Sequence, residues 1–111
     1  MINIETINSV VVLSVSVPRL DAAVAFRFRE ESLNYLANQY GDVIIDFSQV
    51  TFLDSSGLGA LVSLVKRIKH TSRPVICCLQ PAVKTMFALT KMDNVFMVYD
   101  TIEEAVAHFE K

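Results

Sequence analysis

No stretch of this 111-residue chain approaches the ~20 consecutive apolar residues a membrane-crossing helix needs, and its N-terminus lacks a signal-peptide layout. An excess of one charge is also missing. Ten Lys+Arg against 12 Asp+Glu leave a net charge of −2, which gives no electrostatic reason to expect nucleic acid or an acidic membrane as partner. These absences predict a cytoplasmic protein. Histidine and cysteine are scarce too, at two each. Cys77 and Cys78 are neighbours, and neighbours on a strand point to opposite faces, so no disulfide between them is expected. With no histidine nearby they do not read as a zinc site, and no metal site is expected elsewhere. Two buried small hydrophobes is the reading.

Catalytic patterns are likewise lacking. His70 at a helix end and His108 on the last helix have no acid or nucleophile partner, and both read as solvated surface residues. No G-x-S-x-G surrounds Ser55-Ser56-Gly57. Gly57-Leu58-Gly59 lacks the third glycine and acidic residue of a dinucleotide fingerprint, and the Gly-Lys-Ser/Thr of a P-loop. Glu30-Glu31 and Glu103-Glu104 read as helix-surface pairs. Neither enzyme chemistry nor a cofactor is expected.

What remains is an ordinary folded chain, 52% hydrophobic and 20% charged, of a length that suits one domain over 1–111. Ile2 to Ile7 and Val10 to Val17 predict two strands joined by a turn at Asn8-Ser9, with Ile2, Ile4 and Ile7 as possible inward positions. Pro18 closes the second strand. Asp21 is a natural N-cap for a helix reaching about Gln39, where Gly41 suits the left-handed cap position. Two stripes compete for its buried face: Ala22, Phe26, Leu33, Leu36 and Tyr40, or Ala25, Phe28, Ser32 and Leu36. One of Phe26 and Phe28 should therefore be partly exposed.

Val43 to Phe47 reads as a buried strand, and Ser48 to Leu53 as a short connection. A helix over 56–69 follows, with Leu58, Leu61, Val62, Val65 and Ile68 at helical spacing. Val75 to Leu79 is a further strand. Pro81 fits the first position of a third helix, through about Lys91, with Val83, Met86, Phe87 and Thr90 on one face. Asp93-Asn94 turns the chain into a last strand, Val95 to Tyr99. Thr101 with Glu104 makes a capping box for a final helix carrying Ile102, Ala105, Val106 and Phe109. The predicted fold is α/β: a mixed, mostly parallel sheet of about five strands with about four helices, in the order β-β-α-β-α-β-α-β-α. The first strand is expected on an antiparallel edge.

In such sheets sites lie at the carboxyl ends of strands, where Asp54-Ser55-Ser56-Gly57-Leu58-Gly59 falls. Two hydroxyls stand where a strand hands over to a helix, whose first N–H groups lack partners and carry partial positive charge. A phosphoserine read by another protein fits there. So does a plain cap formed by Asp54, Ser55 or Ser56. Two glycines in the first helical turn, at about 1 kcal/mol each relative to alanine, need a reason. It is either close approach of a partner or packing against the chain's own sheet, with the partner favoured at Gly59. By helical angle Gly59 and Ala60 should turn away from Leu58, Leu61 and Val65.

The run Val43-Ile44-Ile45-Asp46-Phe47 through Leu53-Asp54-Ser55-Ser56-Gly57-Leu58-Gly59-Ala60-Leu61 closely resembles the signature of bacterial anti-sigma factor antagonists, the free-standing STAS domains. Leu20-Asp21-Ala22-Ala23 and Gln80 to Phe87 resemble two further family segments, and the similarity covers nearly the whole chain. The resemblance implies a partner-switching regulator. Its unphosphorylated form binds an anti-sigma factor that is also a serine kinase of the histidine-kinase-like ATPase type. That kinase phosphorylates Ser55, and a PPM-type phosphatase restores it. ATP and Mg²⁺ belong to the kinase. Asp21 and Asp54 correspond to the aspartates of the family's site. With Ser56, Gly57, Gly59, Ala60 and Ser63 they form the expected partner surface, on a monomer or weak dimer. Where the family commonly has glycine three residues before Asp21, this chain has Pro18, so that loop is expected to be shaped differently. Other readings are a regulator whose target is not a sigma factor, a subunit of a lipid-transport complex, and a nucleotide-binding module.

Overall fold

The computed structural model describes residues 1–37, 41–68 and 73–110. Strands β1 (Ile2–Ile7) and β2 (Val10–Val15) pair antiparallel with Ile7 opposite Val10. The turn between them holds Asn8 and Ser9 at φ 51 and 69, the two positive values a type I′ hairpin needs to match strand twist. Then follow β3 (Arg19–Leu20), α1 (Ala25–Leu36), β4 (Val43–Asp46), β5 (Phe52–Leu53) and α2 (Ser55–Arg67). The chain finishes with β6 (Val75–Cys77), α3 (Pro81–Leu89), a 3₁₀ turn at Met92–Asn94, β7 (Met97–Tyr99) and α4 (Ile102–His108). Five strands form one sheet in the order β1-β2-β4-β6-β7, all parallel except β1. The predicted order and sheet are therefore present, with a separate parallel pair, β3–β5, added where the sequence suggested only connections.

Alternation along the strands divides the molecule. Val11, Leu13, Val15, Ile45 and Ile76 pack with residues of α1, α2 and α3 on one face. Val10, Val12, Ile44, Val75 and Cys77 pack with Ala105 and Val106 of α4 on the other. Among the largest buried side chains are Phe28, Phe47, Phe87 and Phe96, each contributing about 1.5–3 kcal/mol by burial. On α1 the stripe Ala25, Phe28, Ser32 and Leu36 faces inward, and Phe26 is 72% exposed.

Several expectations are corrected. Ile4 is 37% exposed because β1 is an edge strand, with a neighbouring strand on one side only. Helix α1 starts at Ala25, because Asp21 first caps a turn, its carbonyl accepting from Val24 N (3.1 Å) and Ala25 N (2.9 Å). The helix ends at Leu36 with Ala37 as its C-cap residue, short of the expected end near Gln39. The expected helix residues 38–40 lie outside the described residues, as do Lys69, His70, Thr71 and Ser72. Strand β6 stops at Cys77 because Cys78 takes φ 67, which also defeats the opposite-face argument for the cysteines. Their sulfurs are 3.2 Å apart. His108 is not simply solvated: its Nδ1 lies 2.7 Å from the Tyr99 hydroxyl, and its ring meets those of Tyr99 and Phe109 edge-on. Thr101 caps α4 as expected, its Oγ1 accepting from Glu104 N at 3.1 Å, while the Glu104 carboxylate accepts from the Thr101 hydroxyl (3.2 Å) in place of the return bond to the Thr101 N–H that a capping box has.

Candidate functional site

Two chain segments distant in sequence are zipped together ahead of α2. The Pro18 carbonyl accepts from Thr51 N (2.8 Å), Phe52 N (3.1 Å) and Thr51 Oγ1 (3.1 Å). Strands β3 and β5 then run side by side for two residues, and Asp54 N reaches Leu20 O at 3.4 Å. Pro18, lacking an N–H, joins this junction through its carbonyl. Outside the pair, the Arg19 guanidinium lies 4.0 Å from the Phe52 ring centroid, and its Nε is 3.5 Å from Asp21 Oδ2.

Of the three candidate caps, Asp54 takes the role. Its extended backbone (φ −102, ψ −177) places Oδ1 2.8 Å from Gly57 N, and its carbonyl accepts from Leu58 N at 2.9 Å. The other carboxylate oxygen accepts from Ala22 N at 3.1 Å, so one side chain ties the start of α2 to the turn before α1. Asp21 organises that same turn, its Oδ1 accepting from Ala23 N at 3.1 Å. Ser55 and Ser56 occupy the first two helical positions and are exposed. Neither is needed as a cap, and the helix N-terminus offers partial positive charge beside them.

The two glycines separate in role. A Cβ on Gly57 would stand 2.0 Å from Leu20 O and 2.9 Å from Leu53 Cδ1, so this glycine lets α2 lie against β3. At Gly59 a Cβ would meet nothing within 4 Å, and the residue is exposed. Ala60 is corrected: it is 8% exposed and packs in the core, because the inward stripe of α2 runs through Gly57, Ala60, Leu61, Leu64 and Val65. Gly57 and Ala60 therefore shape the surface from beneath. Ser55, Gly59 and Ser63 follow at four-residue steps and share one side of the helix. Ser63 Oγ accepts from Arg29 Nε of α1 at 2.7 Å, and Arg29 also pairs with Glu30. The structure thus brings Asp21 and Asp54 together at the start of α2, where Ser55 and Ser56 stand, with Gly59 and Ser63 along the helix. Sequence reasoning missed Arg19, Phe52 and Arg29. An exposed aromatic just before the Asp-Ser-Ser run, and a cation two residues before Asp21, were the available signals.

Comparison with known proteins points in one direction. The family profile described as STAS domain matches residues 1–105. A Thermotoga maritima protein named as a candidate anti-sigma factor antagonist is 31% identical over 74 residues, which span 65% of each chain. A solved anti-sigma factor antagonist from Mycobacterium paratuberculosis superposes with a TM-score of 0.88 at 25% identity, covering 100% of this chain and 94% of its own. The anti-sigma factor antagonist SpoIIAA in its unphosphorylated form gives a TM-score of 0.73 at 21% identity, over 97% and 95% of the two chains. The Bacillus SpoIIAA phosphorylated form gives 0.66 at 20%, over 97% and 98%. No described helix is long and apolar enough to cross a membrane.

Proposed function

Because the chain belongs to the STAS domain family, we propose that it is a cytoplasmic anti-sigma factor antagonist working by partner switching rather than an enzyme. The unphosphorylated form binds an anti-sigma factor that is also a serine kinase of the histidine-kinase-like ATPase type. Phosphorylation of Ser55 releases that partner, and a PPM-type phosphatase resets the site. One observation carries the reading: Ser55 is exposed on the first helical residue while Asp54 does the capping, so its hydroxyl is free for chemistry without loosening α2. The match to relatives named as anti-sigma factor antagonists supports it.

The energetics are sufficient. A phosphate adds roughly −1.5 to −2 charges at pH 7. Set at a helix N-terminus, it is tolerated by the antagonist's own fold. Against a partner surface arranged for Asp21, Asp54, Ser56, Gly59 and Ser63 beside a neutral Ser55, the same charge is misplaced. A ten- to hundred-fold loss of affinity needs only about 1.4–2.8 kcal/mol.

The test is a capture experiment. Wild type, Ser55→Ala and Ser55→Asp are immobilised and lysate of the source cell is passed over each. A histidine-kinase-like ATPase should be held by wild type and Ser55→Ala and lost from Ser55→Asp. Transporter subunits captured equally on all three would sink the proposal and leave Ser55 as part of a structural helix start.

A further inference from the structure

A second polar cluster lies on the α4 face of the sheet. Ser14, Asp46 and Cys77 sit in register on β2, β4 and β6, so their side chains form a row near the carboxyl ends of the strands. Asp46 is 5% exposed, with Oδ2 accepting from Ser14 Oγ (3.0 Å) and Oδ1 from Ser48 N (2.8 Å). Each carboxylate oxygen keeps a further lone pair. Cys78, turned back by its left-handed backbone, brings Sγ to 3.2 Å from Cys77 Sγ. The two sulfurs and the Asp46 carboxylate all lie within 4.8 Å of one another. Cys77 is buried and Cys78 only partly so, which leaves a side open to solvent. Burial first, with the Asp46 and Glu103 charges adding to it, pushes both thiols above their ordinary range. Both sulfurs thus lie in the field of the Asp46 and Glu103 carboxylates.

This geometry suits a bridging atom better than a bond between the sulfurs. The Cα atoms of trans-linked neighbours stand about 3.8 Å apart, short of the roughly 4.4–6.8 Å of ordinary disulfides. Two metal–sulfur bonds of about 2.3 Å at a tetrahedral angle set their sulfurs about 3.8 Å apart, which this pair reaches by opening about 0.6 Å. Two thiolates with one carboxylate favour a soft or borderline d¹⁰ cation over a hard one. Sequence reading passed over the group because its third donor comes from another strand.

We propose that Cys77, Cys78 and Asp46 bind one thiophilic divalent cation of the Zn²⁺ and Cd²⁺ class, the fourth position open to water on the Cys78 side. On binding, two S–H bonds give way to two S–metal bonds, two protons leave to solvent, and no electrons change hands. The site is independent of the Ser55 reading, being on the opposite face of the sheet.

The test titrates the reduced full chain with Cd²⁺ alone and follows the ultraviolet thiolate-to-cadmium absorption. The signal should rise linearly and break at one ion per chain. Cys78→Ala should lose it while keeping the wild-type circular dichroism, and Asp46→Asn should weaken binding by at least about tenfold. Cys78→Ser, which keeps the side-chain volume, serves if the alanine variant misfolds and should lose the signal equally. Absence of the band at one equivalent, its survival without the Cys78 sulfur, or a break at half an equivalent would each overturn the proposal.

Discussion

Replacing Gly57 and Gly59 by alanine should move stability in opposite directions, though the two lie in the same turn of α2. Helix propensity alone favours alanine at either position by about 1 kcal/mol. At Gly59 nothing stands within 4 Å of the new methyl, so that gain should survive as a stabilisation of about 0.5–1 kcal/mol. At Gly57 the methyl would lie 2.0 Å from Leu20 O and 2.8 Å from Leu20 C. Both atoms are backbone, and the same carbonyl accepts the Asp54 N–H. The only relief is to move α2 off β3, an overpacking strain of typically 1–3 kcal/mol, with the weakened Asp54 hydrogen bond in addition. After the propensity gain, Gly57→Ala should still lose about 1–3 kcal/mol. Urea unfolding followed by circular dichroism reads this directly. With a slope of about 1–3 kcal/mol/M, a combined difference of about 1.5–4 kcal/mol should separate the two midpoints by roughly 0.5–4 M, one on each side of wild type. Midpoints shifted in the same direction would refute the assignment of Gly57 to packing and of Gly59 to open surface.

Two further outcomes are expected. Asp54→Ala should cost about 2 kcal/mol, one unit for the Gly57 cap and one for the Ala22 tie, while Asp54→Asn, with a single acceptor oxygen, should keep about half. Thermal unfolding tests this as a graded fall in Tm, and equal losses in the two variants would contradict the double role. Stability should also decline in alkali. Above about pH 9 the unfolded chain gives up the Cys77 proton while the folded chain, its thiol pushed up chiefly by burial, retains it. The folded state then binds more protons, so stability falls as pH rises, by up to about 1.4 kcal/mol per unit. Denaturant midpoints from pH 8 to 11 should show a shallower decline in Cys77→Ala; parallel declines would exclude Cys77 as the source.

The elements that periodicity and capping chemistry specify were legible in the sequence. Pro81 opens α3, Thr101 and Glu104 open α4, and Asn8-Ser9 turns the hairpin. Two-residue pairings leave no period, so β3 and β5 were invisible, and with them the reason Gly57 must be glycine. The stripe on α1 could not be chosen locally, because Phe26 and Phe28 are equally apolar and only the position of α2 selects Phe28. Cys78 went the other way: a β-forming stretch predicted a strand to Leu79, whereas φ 67 at Cys78 ends it early. The location of the candidate site was legible from the strand-to-helix junction. The choice of Asp54 over the two serines as cap was not, because aspartate and serine are both favoured caps that accept such an N–H.

With three helices on one side of the sheet and α4 alone on the other, the sheet works as a partition. Substitutions at the start of α2 and beneath α4 share no direct partner, so their energetic effects should sum to within about 0.3–0.5 kcal/mol. Asp46 is the doorway in that wall. Its carboxylate touches the thiol side, yet the same group holds Ser48 N, and the Ser48 carbonyl accepts from Gln80 at the head of α3 on the opposite side. A double-mutant cycle that includes Asp46 is where non-additivity between the two compartments should first appear.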